Sequence, residues 1–446
     1  MSDGAAEAAR VSLKQALAFW VKLGFISFGG PAGQIAIMHH ELVERRRWIS
    51  ERRFLHALNY CMVLPGPEAQ QLATYIGWLL HGTWGGIAAG AMFVLPSFFI
   101  LMLLSWIYLA YGDVPLVAGI FYGIKPAVTA IVLHAAIRIG SRTLRHPLLW
   151  VVAAAALVTI SLKVAFPAIL LSAALVGIIG ARFAPAAFHA AGGHGSAPRK
   201  DHGPAVIDDS SPMPEHAQFL WGRLAKVAGV GLLLWALPLL AFALLAGPDH
   251  TLTRMGWFFT KSALLTFGGA YAVLPYVYQG AVEQFAWLNA SQMIDGLALG
   301  ETTPGPLIVI VTFVGFVGGY QEGLLGPQHL FAAGVLAAAV VTWFTFLPSF
   351  VFILAGGPLA ESTRGESRFS APLTAISAAV TGVIASLALF FAGHVFWPTG
   401  FSAGFDAIAF VLALLAATAL IRFKRGVIEV IAACGGLGCL ATVFWL

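Results

Sequence analysis

Two Pro-Gly-Pro motifs, each beside a carboxylate, are the residues of this chain whose types and spacing could do chemistry. The stretch MVLPGPEAQ covers residues 62–70, and LGETTPGPL covers residues 299–307. Proline lacks an N–H group and disfavours helical geometry in the residue before it, so a helix must end at each motif and a new one must begin beyond it. The first N–H groups of a helix are unpaired and carry partial positive charge, which predicts anion binding at both motifs.

A Gly-Gly pair lies upstream of each motif, at residues 29–30 and 268–269. Small residues let an oxyanion approach the backbone closely, although a kink or a packing role is the alternative for either pair taken alone. We predict that both kinds of break, together with nearby polar side chains, bind the substrate. The candidate residues are Lys22, Gly29, Gly30, Gln34, Pro65, Gly66, Pro67, Gln70, Lys261, Gly268, Gly269, Pro304, Gly305 and Pro306.

The composition shows what surrounds these motifs. The chain has 446 residues, of which 59% are hydrophobic and 10% are charged, and its mean hydropathy is +0.85. Such a chain is a polytopic membrane protein, because apolar stretches long enough to cross about 30 Å of hydrocarbon recur along most of its length. Their richness in Gly and Ala is typical of closely packed helices, so we predict an all-α integral membrane protein.

Charged groups at membrane depth need a reason, and four of them lie near the breaks. Glu68 follows the first Pro-Gly-Pro motif and Glu301 precedes the second, so either could carry a proton, with helix capping or ion pairing as the alternative. Lys22 and Lys261 precede the Gly-Gly pairs, and an ammonium at the bilayer centre costs about 2.5–3.5 kcal/mol on insertion scales. Each lysine either pairs with the anion or extends to the membrane surface.

The chain consists of two related halves. Residues 22–67 align with residues 261–306 without a gap, and LPSF at 95–98 recurs at 347–350. Between the halves, a stretch rich in Pro, Gly, Ser and charge predicts a flexible linker. We therefore divide the chain into an N-terminal repeat (1–182), a cytoplasmic linker (183–222), a connecting transmembrane helix (223–252) and a C-terminal repeat (253–446).

Charge predicts that the repeats have opposite orientations. The loop at 39–53 carries five Arg, whereas its counterpart at 279–290 carries no Lys or Arg, so the positive-inside rule places the first in the cytoplasm and the second outside. Inverted repeats are the architecture in which secondary transporters bind substrate between broken helices. About thirteen full spans would satisfy the hydropathy, but re-entrant hairpins at the breaks place every basic loop inside, and we favour them.

The ordered motifs resemble the chromate ion transporter (CHR) family in its long, two-domain form. The resemblance rests on KLGFISFGGPAGQIAIMHHELVERRRWIS, LPGPEAQQLATYIG, FGGAYAVLP, EQFAWL and ETTPGP. It implies an inner-membrane, multi-pass transporter that expels chromate and confers chromate resistance, with sulfate as the dianion that chromate mimics. Family motif positions also fall on Pro31, Glu41 and Trp48. The second copy has Ala270 and Val273 where the first copy has Pro31 and Gln34, so its break need not bind the anion in the same way.

Other function classes are less well supported. An intramembrane enzyme would need a nucleophile and base or a metal set, and the sequence has no H-E-x-x-H motif. Its one G-x-S-x-G match, GFSAG at residues 400–404, lacks the strand before it that a nucleophile elbow requires, because the chain is predicted to be all-α. We expect no metal, cofactor or nucleic acid, since the three Cys lack ligand spacing and the net charge of +5 accompanies no nucleic-acid motif. The expected partners are the oxyanion, protons and the lipid bilayer. A transporter or channel for sulfate or another oxyanion is the alternative function, and a homodimer is a further alternative for the oligomeric state.

Overall fold

The computed structural model describes residues 11–28, 30–188, 204–209, 211, 213–362, 370–398, 400 and 404–444. This part of the chain is helical, and its single β-bridge joins Ile49 to Ile207. Six of the described helices are long and apolar enough to cross a membrane. The prediction of an all-α polytopic membrane protein is confirmed.

Seventeen α-helices are described. Their bounds are α1 Leu13–Ile26, α2 Gly30–His39, α3 Glu51–Val63, α4 Glu68–Tyr111, α5 Pro115–Thr143, α6 Pro147–Ser161, α7 Phe166–Phe183, α8 Pro185–Phe188, α9 Trp221–Leu245, α10 Thr251–Leu264, α11 Ala270–Tyr278, α12 Ala290–Thr302, α13 Ile310–Glu322, α14 Leu330–Ser362, α15 Ser370–Phe396, α16 Ala407–Ile421 and α17 Val427–Phe444. The six candidate spans are α4, α5, α7, α9, α14 and α15.

The motifs interrupt helices as their residue types dictate. Helix α3 ends before the first Pro-Gly-Pro and α4 begins directly after it, while α12 ends just before the second. At both central glycines φ is positive, 130° at Gly66 and 93° at Gly305, a conformation that other residues adopt only with strain. Gly30 opens α2 with φ 72°, and Gly269 precedes α11 with φ 97°.

The two halves share unusual local geometry beyond these breaks. A π-helical turn follows α2 at His40–Arg45 and another follows α11 at Gln279–Gln284. Arg47 and Ala286, which the repeat alignment pairs, both have positive φ, at 56° and 51°. Equivalent residues of the two halves therefore fold in the same way, although one loop is strongly basic and the other is not.

One end of the molecule is marked by the linker, and we call it the linker face. Ile207 donates a backbone hydrogen bond to the Trp48 carbonyl at 3.0 Å. His216 pairs with the Trp78 carbonyl at 2.8 Å, one turn before α4 kinks at His81. The loop between α2 and α3 and the kink of α4 therefore lie at the same face.

The hairpins of the first half begin and end at the linker face. His81 at the kink pairs with the carbonyl of Val11, next to the start of α1, at 2.9 Å. Helix α1 has 14 residues, which is about 21 Å and too short to cross the bilayer. The described residues of 11–50, and residues 51–82, thus form two hairpins whose tips lie at the breaks. These contacts favour re-entrant hairpins over thirteen full spans.

The second half makes the same kind of hairpins at the opposite end, which we call the distal face. Thr251 at the start of α10 donates a hydrogen bond to Glu322 at the end of α13. Trp287, in the loop between α11 and α12, packs against Gly318. Ser291 lines the same cavity as Gly112, where α4 ends after running about 43 Å from its kink.

The described part of the linker contacts the first repeat. Val206 donates to the Arg47 carbonyl and Ser50 donates to the Ile207 carbonyl, both at 2.9 Å. The Arg53 guanidinium reaches the Asp208 carbonyl at 3.3 Å. Backbone pairing and an arginine hold these residues in place, and the flexibility expected of the linker as a whole stays a prediction. Residues 189–203 of the linker lie outside the described residues.

Thiol labelling tests the hairpins. We expect an impermeant reagent to reach Arg47→Cys and Thr83→Cys from one side of the membrane and Ala286→Cys only from the other, because the first two flank the linker face. Thr83 is used because it is exposed, whereas Gly82 has φ 65° and would be strained by a side chain. Labelling of Thr83→Cys from the side that reaches Ala286→Cys would rule out re-entry.

Candidate anion site at the helix breaks

The two Pro-Gly-Pro loops contact each other's half of the molecule. The Gly66 N–H donates to the Thr266 carbonyl at 2.7 Å, and the Gly305 N–H donates to the Ser27 carbonyl at 2.7 Å. Ser27 and Thr266 follow α1 and α10, and they are paired by the same alignment that pairs Gly66 with Gly305. A two-fold relation between the halves produces such reciprocal contacts, with the tips of all four hairpins in one central region.

The LPSF repeats hold the same loops. The Ser97 hydroxyl donates to the Pro304 carbonyl of the second loop. At the equivalent place, Gln71 donates to the Ser349 hydroxyl at 3.4 Å and to the Pro65 carbonyl of the first loop at 2.8 Å. All three polar side chains are buried. The second loop is therefore held directly by a serine from the other half, and the first loop is held through Gln71, which also contacts a serine from the other half.

The Gly-Gly breaks are less crowded than the Pro-Gly-Pro loops. A Cβ on Gly30 would meet no atom within 4 Å, and one on Gly269 would lie 3.9 Å from Pro31 Cγ, which brings the two breaks side by side. By contrast, a Cβ on Gly66 would lie 2.4 Å from Ser349 Oγ. Room for a ligand beside the backbone exists at the Gly-Gly breaks. Gly29 lies outside the described residues.

Gln34 links the breaks and leaves hydrogen-bonding capacity unused. Its amide nitrogen donates to the Gly305 carbonyl at 2.5 Å and to the Ser27 carbonyl at 3.4 Å. Four buried polar atoms around the breaks have no hydrogen-bond partner among the described residues: Ser27 Oγ, Gln34 Oε1, Gln70 Oε1 and Gln71 Oε1. A buried polar group without a partner costs about 1–3 kcal/mol, so a region that gathers four of them suits a polar ligand.

The carboxylates lie beside the breaks with different surroundings. Glu301, in the last turn of α12, accepts a hydrogen bond from the buried Tyr271 hydroxyl, and Arg138 is close enough to act on its charge. Glu68 is half-buried at the start of α4, near the thiol of Cys61. Glu301 is thus hydrogen-bonded to a hydroxyl and lies within the electrostatic influence of a cation.

The structure does not bring the two predicted lysines to the breaks. Lys22 is exposed on α1 beside exposed Val21 and Phe25, as expected of a lipid-facing surface. Lys261 is exposed in the last turn of α10, with its ammonium 5.9 Å from the Trp257 ring. In the described structure neither lysine is joined to the loops by a hydrogen bond or ion pair, which accords with extension to the membrane surface.

Several residues of this region were missed as candidate ligands. Tyr271 and Arg138 approach Glu301 only through tertiary packing, and no local spacing signals them. Ser27 and Thr266 could have been found, because both occupy the position just before a repeated Phe-Gly-Gly. The recurrence of LPSF likewise marked Ser97 and Ser349, although it was interpreted only as evidence of a repeat.

Outside the membrane segments, the loop after α2 is held by charge. Glu41 accepts hydrogen bonds from Arg45 and Arg46, both at 2.9 Å, and the Arg46 guanidinium lies 4.9 Å from the centre of the Phe19 ring. The hydrogen bond from Arg46 lowers the pKa of Glu41. The stabilisation from this depressed pKa is present at neutral pH and is lost as the pH falls through the pKa of the folded state.

Metal binding is not indicated in the described part of the chain. No three or more His, Cys, Asp and Glu side chains there are grouped so as to hold an ion. Cys61 and Cys434 are buried free thiols, and Cys439 is half-buried.

Comparison with known proteins assigns the family. The family model described as "Chromate transporter" matches residues 14–178 and 253–439, which are the two halves. The chain is 33% identical to the "Chromate transport protein" of Pseudomonas aeruginosa over 84% of its own length and 80% of that protein. It is 30% identical to the "Probable chromate transport protein" of Synechococcus elongatus, with 84% and 83% covered.

A third relative, the "Chromate transport protein" of Cupriavidus metallidurans, is 27% identical over 93% of this chain and 89% of that protein. No solved structure is significantly similar to the chain. These relatives are named as transport proteins rather than enzymes, and the two ranges matched by the family model contain all four breaks. The chain therefore belongs to the chromate transporter family.

Proposed function

We propose that this protein exports chromate from the cytoplasm across the inner membrane, driven in part by the proton gradient, and so confers chromate resistance. Sulfate, a tetrahedral dianion of similar shape, competes for the same site. The observation that carries the proposal is the meeting of four helix breaks from two halves at one buried polar region. The names of the relatives support chromate as the substrate.

The breaks supply the groups that a dianion needs. Helices α2 and α11 begin at adjacent Gly-Gly breaks, where the backbone is accessible and a helix start favours negative charge. The Ala272 N–H is bonded to the Gly269 carbonyl and Pro31 has no N–H, so the other N–H groups of these first turns are the ones offered to the anion. The Ser27 hydroxyl can donate, and a rotated Gln70 amide can present its nitrogen. The Pro-Gly-Pro loops hold the region in shape, because their N–H groups already bond across the halves.

A cation must share the charge of the dianion, and Arg138 is placed to do so. The idealised cost of moving one unit charge into dry protein is about 20 kcal/mol, so helix termini alone do not suffice for two charges. Arg138 is half-buried on α5 and acts on both Glu301 and Tyr271. We assign it the role that the sequence suggested for Lys22 and Lys261.

Paired neutralisations test this assignment. We expect Arg138→Gln to raise the chromate concentration for half-maximal transport at least about tenfold, equivalent to about 1.4 kcal/mol. Lys22→Gln is the matched control, since it also removes one cation from a half, and we expect less than a twofold change. Equal effects of the two variants on half-saturation, with equal amounts of folded protein, would contradict the role of Arg138.

The electrical gradient favours export. Moving two negative charges out of a negative interior is downhill by about 4.6 kcal/mol per 100 mV. Import would be driven by the same potential only if at least about three protons entered with each dianion, because the transported charge would then be positive. A proton entering as chromate leaves adds the pH gradient to the driving force, and Glu301 and Glu68 are the carboxylates beside the breaks that could carry it.

The test is transport into inside-out membrane vesicles, in which export appears as uptake. We expect labelled chromate to accumulate, more so when the vesicle interior is made acidic, and we expect excess sulfate to reduce the rate. Vesicles without the protein are the control. Chromate uptake into right-side-out vesicles alone would identify an importer, and rates far above those of carriers would identify a channel.

A further inference from the structure

A buried ion pair seals the molecule near the linker face. Arg53 on α3 and Glu361 at the end of α14 are 2.6 Å apart, and their side chains are 3% and 1% exposed. The Tyr75 hydroxyl donates to the second oxygen of Glu361 at 2.7 Å. Arg53 also reaches the carbonyl of Ser211 in the linker. Helix α3, helix α14 and the linker are thereby tied together.

The distal end carries a second charged cluster, but it is open. Asp295 on α12 accepts a hydrogen bond from Tyr108 at 3.0 Å and lies 3.5 Å from the Lys125 ammonium, which donates to Ser291 at 2.7 Å. These four residues line a cavity of about 310 Å³. Lys125 is 28% exposed, and Asp295 Oδ1 is buried without a hydrogen-bond partner.

The two clusters occupy equivalent places in the repeat. The offset between Lys22 and Lys261 pairs His56 with Asp295, and the offset between the LPSF motifs pairs Tyr108 with Ala360. His56 contacts the Ala360 carbonyl at 3.1 Å, as Asp295 contacts Tyr108 at the other end. Each contact joins the helix that leads into a Pro-Gly-Pro loop to the end of a long helix from the other half.

Sequence differences make one cluster closed and the other open. The same offsets pair Arg53 with Gln292 and Glu361 with Leu109, and both Gln292 and Leu109 line the distal cavity. The ion pair that closes the linker face therefore has no equivalent at the distal face. The distal charges come instead from Lys125 and Asp295, whose closest atoms are 0.9 Å farther apart than those of the buried pair.

We propose that these clusters are the two gates of the transport path. This inference rests on the proposed transport function. The structure is closed at the linker face by Arg53 and Glu361 and accessible from the distal face as far as Asp295. Transport requires the opposite state as well, in which the buried pair separates and Lys125 moves onto Asp295. Lys125 is then also the last cation that the oxyanion meets on its way out.

Thiol labelling tests the linker-face gate without measuring transport. Ser377, half-buried beside Gly268, is changed to cysteine in a chain whose three native cysteines are alanine. In inside-out vesicles, we expect an impermeant maleimide to label it slowly, and at least about tenfold faster when Glu361→Gln weakens the gate. Asp209→Asn, which removes a charge from an exposed contact at the same face, should leave the rate unchanged.

Cross-linking tests both gates together. A short bis-maleimide is applied to His56→Cys with Ala360→Cys, and separately to Tyr108→Cys with Asp295→Cys. We expect either cross-link to stop chromate transport, whereas each single-cysteine variant treated with the same reagent retains measurable transport. Transport of each pair before cross-linking gives its reference. Continued transport after complete cross-linking at both ends would overturn the proposal.

Failure of the gates can be distinguished from failure of the proposed function. Labelling of Ser377→Cys does not depend on which anion is carried, so a chain that moves no chromate could still show the Glu361→Gln effect. If the unaltered chain exports chromate but Glu361→Gln, present as folded protein, labels at the original rate, the gate assignment is wrong. If Glu361→Gln does not fold, the cross-linking result decides.

Discussion

Gly305→Ala should abolish transport and also reduce the amount of folded protein in the membrane. The added Cβ would lie 1.9 Å from Ser97 Oγ and 3.2 Å from the Phe93 carbonyl oxygen. The residue also has φ 93°, where a side chain strains the backbone by about 1–3 kcal/mol. Overpacking adds about 1–3 kcal/mol, so the sum is a large part of the stability of a typical protein. Quantifying membrane-inserted protein alongside transport measures both effects.

A double-mutant cycle tests whether contact with Ser97 causes the loss of folded Gly305→Ala protein. Ser97→Ala removes the atom that the new Cβ would meet, so Ser97→Ala with Gly305→Ala should retain more folded protein than Gly305→Ala alone, with a coupling of about 0.5–3 kcal/mol. Gly66→Ala with Ser349→Ala is the equivalent cycle in the other half, where the clash is milder at 2.4 Å. A full amount of folded but inactive Gly305→Ala protein would instead assign the loop a direct role in anion binding.

This expectation differs from the one that the sequence alone supports. The motif suggests that Gly66 and Gly305 are open to the anion, so that alanine would remove binding and leave folding intact. The structure shows their N–H groups bonded across the halves and their Cβ positions filled by serines. The sequence could not indicate this, because whether a glycine faces a ligand or a neighbouring helix depends on tertiary packing.

The backbone breaks and the repeat were predictable, since Pro and Gly impose local geometry wherever they occur. Lys22 and Lys261 show the limit of the same reasoning: their identity at aligned positions suggested a shared role, but the direction of a helix face is set by its neighbours. Arg138 shows the converse, because it comes within electrostatic influence of Glu301 only when α5 packs against α12. The alignment of the two halves could be derived from the sequence, whereas tertiary contacts could not, whether within a half, as between Tyr271 and Glu301, or between halves.

Glu301→Gln should remove the dependence of chromate export on the pH gradient while leaving a slower, electrically driven export. Glutamine keeps the size of the side chain and can still accept the hydrogen bond from Tyr271, but it cannot gain or lose a proton. We expect the rate measured with a gradient to fall to the rate measured without one. Inside-out vesicles with an imposed potential, assayed with and without an acidic interior, measure the export rate with the pH gradient and the export rate without it.

Two matched variants decide which carboxylate couples the proton. Glu68→Gln removes the other carboxylate beside a Pro-Gly-Pro loop, and Tyr271→Phe removes the hydrogen bond to Glu301 but keeps its ionisable group. Tyr271→Phe should therefore still respond to the gradient, with a shifted pH profile, because Glu301 can still take up and release a proton as chromate is transported. If Glu301→Gln responds fully to the gradient and Glu68→Gln does not, the coupling carboxylate is Glu68. If both respond fully, neither carries the proton, and export is driven by the membrane potential alone.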